Sequence, residues 1–123
     1  MTAYLKEIKF NERGLVPVVT IEAETSELLM VAWANKEAIS ATVEEKRAVY
    51  WSRSRSKIWR KGEESGNVQE LVEVRLDCDN DTVCYIVDQI GGAACHTGRK
   101  SCFFRRLNGD TWINCVETKK AIG

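Results

Sequence analysis

The chain has 123 residues, enough for one domain with a real core and too few for two. Apolar residues make up 44% and charged residues 29%, which reads as globular and soluble rather than disordered. Eighteen basic and eighteen acidic residues cancel, which argues against a general nucleic-acid binder and leaves a local anion site open.

Lys6, Glu7 and Lys9 fall where a secretory leader would be apolar, and no apolar run approaches the roughly 18 to 20 residues of a spanning helix. The expected location is therefore cytoplasmic, away from membranes, where thiols stay reduced. Five cysteines, an odd number, then read as metal ligands or core thiols rather than a disulfide framework.

In chain order, "VPVVTIEA" (16–23) and "ELLMVAW" (27–33) predict a strand pair across the polar break "ETS". Asn35 is placed to cap a helix over about 36–47, with Ala34 and Ile39 at the staple positions and Ile39 and Val43 one turn apart. "AVYWS" (48–52) predicts a strand. Residues 53–67 are basic, rich in Ser and Gly and without apolar periodicity, so they predict a loop or long hairpin tip. In "VQELVEVRL" (68–76), Val72, Val74 and Leu76 alternate with Glu73 and Arg75. "TVCYIVDQI" (82–90) predicts a buried strand ended by Gly91 and Gly92. "CFFRRL" and "TWINCV" flank Asn108-Gly109-Asp110, a hairpin signal because Asn-Gly accepts the positive φ of a tight turn. One main helix and about seven strands give a β-rich α+β fold, a mostly antiparallel sheet or partial barrel.

"DCDND" (77–81) places three carboxylates at alternate positions with Cys78 between the first two. Carboxylates favour hard cations such as Mg²⁺ and thiolates favour softer ones such as Zn²⁺. If the chain stays extended, Asp77, Asp79 and Asp81 continue the face of Glu73 and Arg75, and Cys78 continues the face of Val72, Val74 and Leu76. One ion on each face would explain the mixture, and a solvated turn is the alternative. A calcium loop of EF-hand type is excluded by Thr82 at its sixth position, Asp88 at its twelfth and the flanking strands.

"CHTGRKSC" supplies Cys95 and Cys102, which with Cys78 make a three-cysteine candidate for Zn²⁺. Three protein ligands leave the fourth zinc position open for water, as in catalytic sites. Cys84 and Cys115 lie in apolar strand patterns and read as core thiols. His96 is the only histidine, and its side-chain type suits proton transfer near neutrality.

"YWSRSRSKIWRKGEESG" interleaves Trp51 and Trp59 with Arg53, Arg55, Lys57, Arg60 and Lys61. It could hold phosphates and stack on a base, or be a solvated hairpin with its tryptophans in the core. Glu63 and Glu64 favour a shaped site for a small anion over a patch for polymers.

These three motifs, in this order, resemble those of the phosphoribosyl-AMP cyclohydrolases, histidine-biosynthesis enzymes that open the purine ring of phosphoribosyl-AMP. The resemblance covers roughly residues 15–107 and implies a single domain over 1–123 with a short C-terminal extension. It implies Mg²⁺ on Asp77, Asp79 and Asp81, Zn²⁺ on Cys78, Cys95 and Cys102, and a homodimer whose zinc site takes cysteines from both chains. The family motif carries a histidine at the position of Asn67, which leaves more of the proton transfer to His96. The implied reaction is zinc-dependent hydrolysis of the C6–N1 bond of 1-(5-phosphoribosyl)-AMP. Zinc would lower the pKa of its bound water, and His96 would take the water's proton and deliver it to N1. Trp51, Arg53, Arg55 and Lys61 are the expected substrate contacts, the three basic ones on phosphate.

Two other readings compete. A zinc-stapled β-domain binding nucleotides or single-stranded nucleic acid would leave the three aspartates without a task. A zinc deaminase would need the H-x-E and P-C-x-x-C patterns, which this chain lacks.

Overall fold

The computed structural model describes residues 3–116. The end of the expected C-terminal extension, 117–123, lies outside them. A short helix α1 (Ala3–Lys6) precedes strands β1 (Val16–Glu22) and β2 (Leu28–Ala34), helix α2 (Lys36–Glu45), and strands β3 (Val49–Ser52) and β4 (Lys57–Arg60). Then come β5 (Gln69–Leu76), β6 (Val83–Gln89), a 3₁₀ turn (Ile90–Gly92), β7 (Arg105–Asn108) and β8 (Thr111–Asn114).

Six strands form one sheet in the order β4-β3-β2-β1-β6-β5, antiparallel except for β1 beside β6. Val16, Val18 and Thr20 turn one face of β1 into the core. Pro17 is tolerated in this central strand because the ladder to β6 begins one residue later, at Val18↔Val83. The sheet curls into a half-barrel. At its far edge β5 returns to the segment before β3, where Ala48 N–H donates to the Gln69 carbonyl (2.9 Å) and Leu71 N–H to that of Lys46 (3.0 Å).

Asn35 caps α2 as expected, its Oδ1 accepting from Ala38 N–H at 2.8 Å. Ala38, Ile39 and Thr42 face the core, while Val43 is exposed. The helix ends at Glu45, slightly earlier than expected, because Lys46 adopts a left-handed conformation (φ 58°) and Arg47 bridges to Glu70.

The described residues contain eight strands where about seven were expected. The basic segment 53–67 holds β4, which pairs with β3 in a hairpin, Tyr50 facing Trp59 with ring centroids 5.4 Å apart. The expected alternation of β5 also fails. A bulge between Leu71 and Glu73 shifts the register, so Leu71 and Val74 pack on the core and Val72 is 53% exposed. The β7–β8 hairpin turns through Gly109 and Asp110 as predicted, with Gly109 at φ 64°.

Within the apolar core runs a chain of buried polar groups. Thr20 bonds the Tyr50 hydroxyl (2.8 Å), which donates to Gln69 Oε1 (2.5 Å). Gln69 Nε2 donates to Gln89 Oε1 (2.8 Å), and Gln89 Nε2 donates to the carbonyls of Asn67 (3.0 Å) and Ile90 (3.1 Å). Burial holds the Tyr50 hydroxyl far above its ordinary pKa, so it stays a donor. Among the described residues no helix is long and apolar enough to cross a membrane.

Candidate active site

The "DCDND" segment is a turn joining β5 to β6 rather than extended chain. Asp77 N–H donates to the Thr82 carbonyl (3.0 Å), and Asn80, at φ 65°, donates its N–H to the Asp77 carbonyl (3.0 Å). Asp77 Oδ1 accepts from the N–H groups of Asp81 (3.0 Å) and Thr82 (3.3 Å). The turn, not strand alternation, brings oxygens of Asp77, Asp79 and Asp81 within 4.8 Å of one another, a spacing that three ligands of one hard cation require. Cys78 is exposed on the same turn, so the two-faced strand is replaced by a loop carrying both ligand types.

Cys95 and Cys102 are brought together by a folded loop. Gly98 N–H donates to the Cys95 carbonyl (3.0 Å), Cys95 N–H to that of Arg99 (3.1 Å) and Ala94 N–H to that of Lys100 (3.0 Å). The far end is pinned to β2, where Ser101 Oγ donates to the Leu28 carbonyl (2.7 Å) and Cys102 N–H to that of Leu29 (2.7 Å). Burial opposes ionisation of Cys95, but the Thr97 hydroxyl (3.0 Å from Sγ), the Thr97 N–H and the Cys102 thiol outweigh it and lower its pKa. The Cys102 thiol is pushed up to about 11, first by the protein packed around it and then by Cys95. A pair of soft thiols with one poised toward thiolate suits zinc.

Cys78 does not join that pair within one chain. Among the described residues the three-ligand cluster is the aspartate one. The other two cysteines depart from expectation: Cys84 is half-buried on β6, and Cys115, just past β8, is exposed rather than a core thiol. The β7–β8 hairpin is separate from the main sheet, so its apolar pattern finds little cover.

A cleft of about 530 Å³ lies between β4, the loop after it and the Ala94–Gly98 segment. Arg55, Trp59, Lys61, Asn67, Cys95 and His96 line it, and His96 is exposed there. Trp51 and Arg53 do not line it: Trp51 sits half-buried on β3 between Trp33 and Ile58, and the Arg53 guanidinium stacks 4.8 Å from the Trp33 ring. Lys61 is only 9% exposed, and its Nζ donates to the Ala94 carbonyl (2.5 Å) and lies 5.3 Å from the Trp59 ring centroid. Burial lowers the Lys61 pKa, and Cys102 and Cys95 oppose that shift.

Two features escape inspection of the sequence. The carbonyl of Asn67, on the cleft wall, is held by Gln89 from the buried polar chain, and only a glutamine opening β5 and another closing β6 hinted at it. Gly91, at φ 79°, leaves the space that the Asn67 carboxamide fills, since a Cβ there would lie 2.0 Å from Asn67 Oδ1.

Comparison with known proteins gives a consistent result. A family model described as phosphoribosyl-AMP cyclohydrolase matches residues 30–104. A phosphoribosyl-AMP cyclohydrolase of Azoarcus sp. (strain BH72) is 58% identical over 116 residues, covering 94% of this chain and 88% of the relative. Those of Pseudomonas aeruginosa (strain LESB58) and Stutzerimonas stutzeri (strain A1501) are 56% identical over 112 and 109 residues, covering 91% and 89% of this chain and 84% and 83% of the relatives.

Proposed function

Since the chain belongs to the phosphoribosyl-AMP cyclohydrolase family, a family of hydrolases, we propose that it hydrolyses the purine C6–N1 bond of 1-(5-phosphoribosyl)-AMP in a zinc-dependent reaction of histidine biosynthesis. The observation that carries this reading is the cleft that His96 and Cys95 of the thiol pair line together with Arg55 and Trp59. Water adds to C6, the C6–N1 bond breaks, and the proton lost by the water ends on N1. A zinc ion bound by the thiols supplies a nucleophile from water at neutral pH. His96, exposed beside Cys95, takes the proton and returns it to N1. Arg53 and Arg55, both exposed on the β3–β4 turn, take phosphate, and Trp51 completes the substrate surface from β3.

The aspartate turn holds Mg²⁺ through Asp77, Asp79 and Asp81 in this reading. The protein is a homodimer, with Cys78 of one chain completing the Cys95 and Cys102 pair of the other. Support comes from Cys78 being exposed and apart from that pair, and from exposed Val31, Phe103, Leu107 and Trp112, apolar side chains that a second copy would cover. The whole chain, 1–123, serves as one domain with a short extension after about 107. Five free thiols suit the reducing cytoplasm.

The test is turnover. Purified protein with zinc, Mg²⁺ and phosphoribosyl-AMP should give the ultraviolet change of purine ring opening, lost on chelation and restored by zinc. No turnover by folded, dimeric, zinc-loaded protein would leave nucleotide binding as the better account. In the active enzyme His96→Ala should lower kcat by about 10²- to 10⁴-fold with zinc retained, and near-normal turnover would remove His96 from the mechanism.

A further inference from the structure

We propose that Lys61 is the fixed countercharge of the cysteine site, a positioning residue for the metal rather than a phosphate contact; this rests on the zinc site proposed above. A buried ammonium is ordinarily paired with a carboxylate. Among the described residues none lies within ion-pair distance of Lys61, although Glu63 and Glu64 follow it closely in the chain. Its Nζ instead reaches the Ala94 carbonyl, the residue before Cys95, and its 9% exposure leaves little of it for a substrate phosphate. Arg55, in contrast, is exposed at the same cleft.

Charge balance gives this placement a purpose. Three thiolates around a dication leave one net negative charge, and a single fixed cation beside them offsets it. Lys61 and Cys95 line the same cleft, and the Ala94 carbonyl holds the ammonium one residue from the first of the two thiols. The bond to Ala94 adds a mechanical part, since it ties the residue after β4 to the loop that presents Cys95. Lys61 thus acts on the metal through its ligands, as outer partners of metal sites do.

The experiment measures zinc dissociation constants by chelator competition on the full-length dimer, for wild type, Lys61→Met and Lys61→Arg. Lys61→Met, which keeps the length and removes the charge, should weaken zinc by about 10- to 100-fold, whereas Lys61→Arg should stay near wild type. The cadmium–thiolate absorption band should saturate at stoichiometric metal in wild type and require excess in Lys61→Met. Unchanged zinc affinity in Lys61→Met overturns the inference, and a rise in KM alone would then return Lys61 to phosphate. Equal loss in both variants also overturns it, because shape rather than charge would matter. If Lys61→Met does not fold, Lys61→Arg decides, with retention of zinc supporting the inference and loss overturning it. A wild-type protein that binds no zinc overturns both this inference and the zinc site beneath it, so the two failures are distinguishable.

Discussion

Gln69 is fully buried, and both ends of its carboxamide are used: Oε1 accepts from Tyr50 and Nε2 donates to Gln89. Replacing Gln69 with Leu would leave the Tyr50 hydroxyl and Gln89 Oε1 without those partners in the core. The expected cost is about 1–3 kcal/mol of unfolding free energy, read from urea denaturation. A change below about 0.5 kcal/mol would show that the chain of polar groups contributes little net stability. This network was illegible in the sequence, where a glutamine opening a strand reads as solvated surface. Its burial is decided by cross-strand partners such as Gln89, to which it is paired in register. Asp77, Asp79, Asp81, Cys95 and His96 were legible for the opposite reason, because their chemistry lies in residue identity and short spacing. The conformation that gathers the aspartates was not, since a left-handed Asn80 is invisible in an alternating pattern.

At the scale of elements, β4 was hidden by its charge. Ile58 and Trp59 are its only apolar residues, and the pairing with β3 supplies what periodicity does not. Arg60 then fastens this strand to the end of α2, donating from Nε (2.9 Å) and Nη2 (2.7 Å) to the Glu45 carboxylate. The Arg60 hydrogen bond is the main reason that the Glu45 pKa lies below its ordinary 4.5. A carboxyl with a depressed folded pKa binds fewer protons folded than unfolded, so its contribution is complete above about pH 4.5 and is lost as pH falls through the folded value. Thermal melts from pH 3 to 6 at low salt should therefore show Glu45→Gln losing the part of the acid slope that wild type has. The effect should be small, because the Glu45 side chain is 34% exposed and solvent screens it. Identical slopes would mean that the pair forms without linkage to folding. The helix cap at Asn35 and the Gly109 hairpin were readable because each is decided by two or three adjacent residues. The β5 bulge depends on its partner strand and was not.

For the whole molecule, the proposed division of cysteines between two chains makes a sharp prediction. Cys78→Ala and Cys95→Ala homodimers should each be inactive. After mixing, unfolding and refolding, heterodimers would regain one intact site from the unmutated Cys78 of one chain and the Cys95 and Cys102 of the other. With random pairing, activity should return to about a quarter of wild type. No recovery, with heterodimers verified by mass, would require each zinc site to be built within one chain. Single-chain patterns carried no trace of this arrangement. The resemblance implied the dimer, and an exposed Cys78 apart from the Cys95 and Cys102 pair is the one feature of the structure that supports it.

The space at Gly91 also has an evolutionary side. A methyl group there would displace the Asn67 carboxamide from the cleft wall and force a side chain into a left-handed backbone, itself a penalty of about 1–2 kcal/mol. The two positions are therefore coupled: a larger residue at 91 makes the Asn67 side chain swing aside, so what residue 67 presents to the cleft depends on the glycine at 91. A glycine with no chemistry of its own thus restricts which substitutions the wall of the cleft accepts.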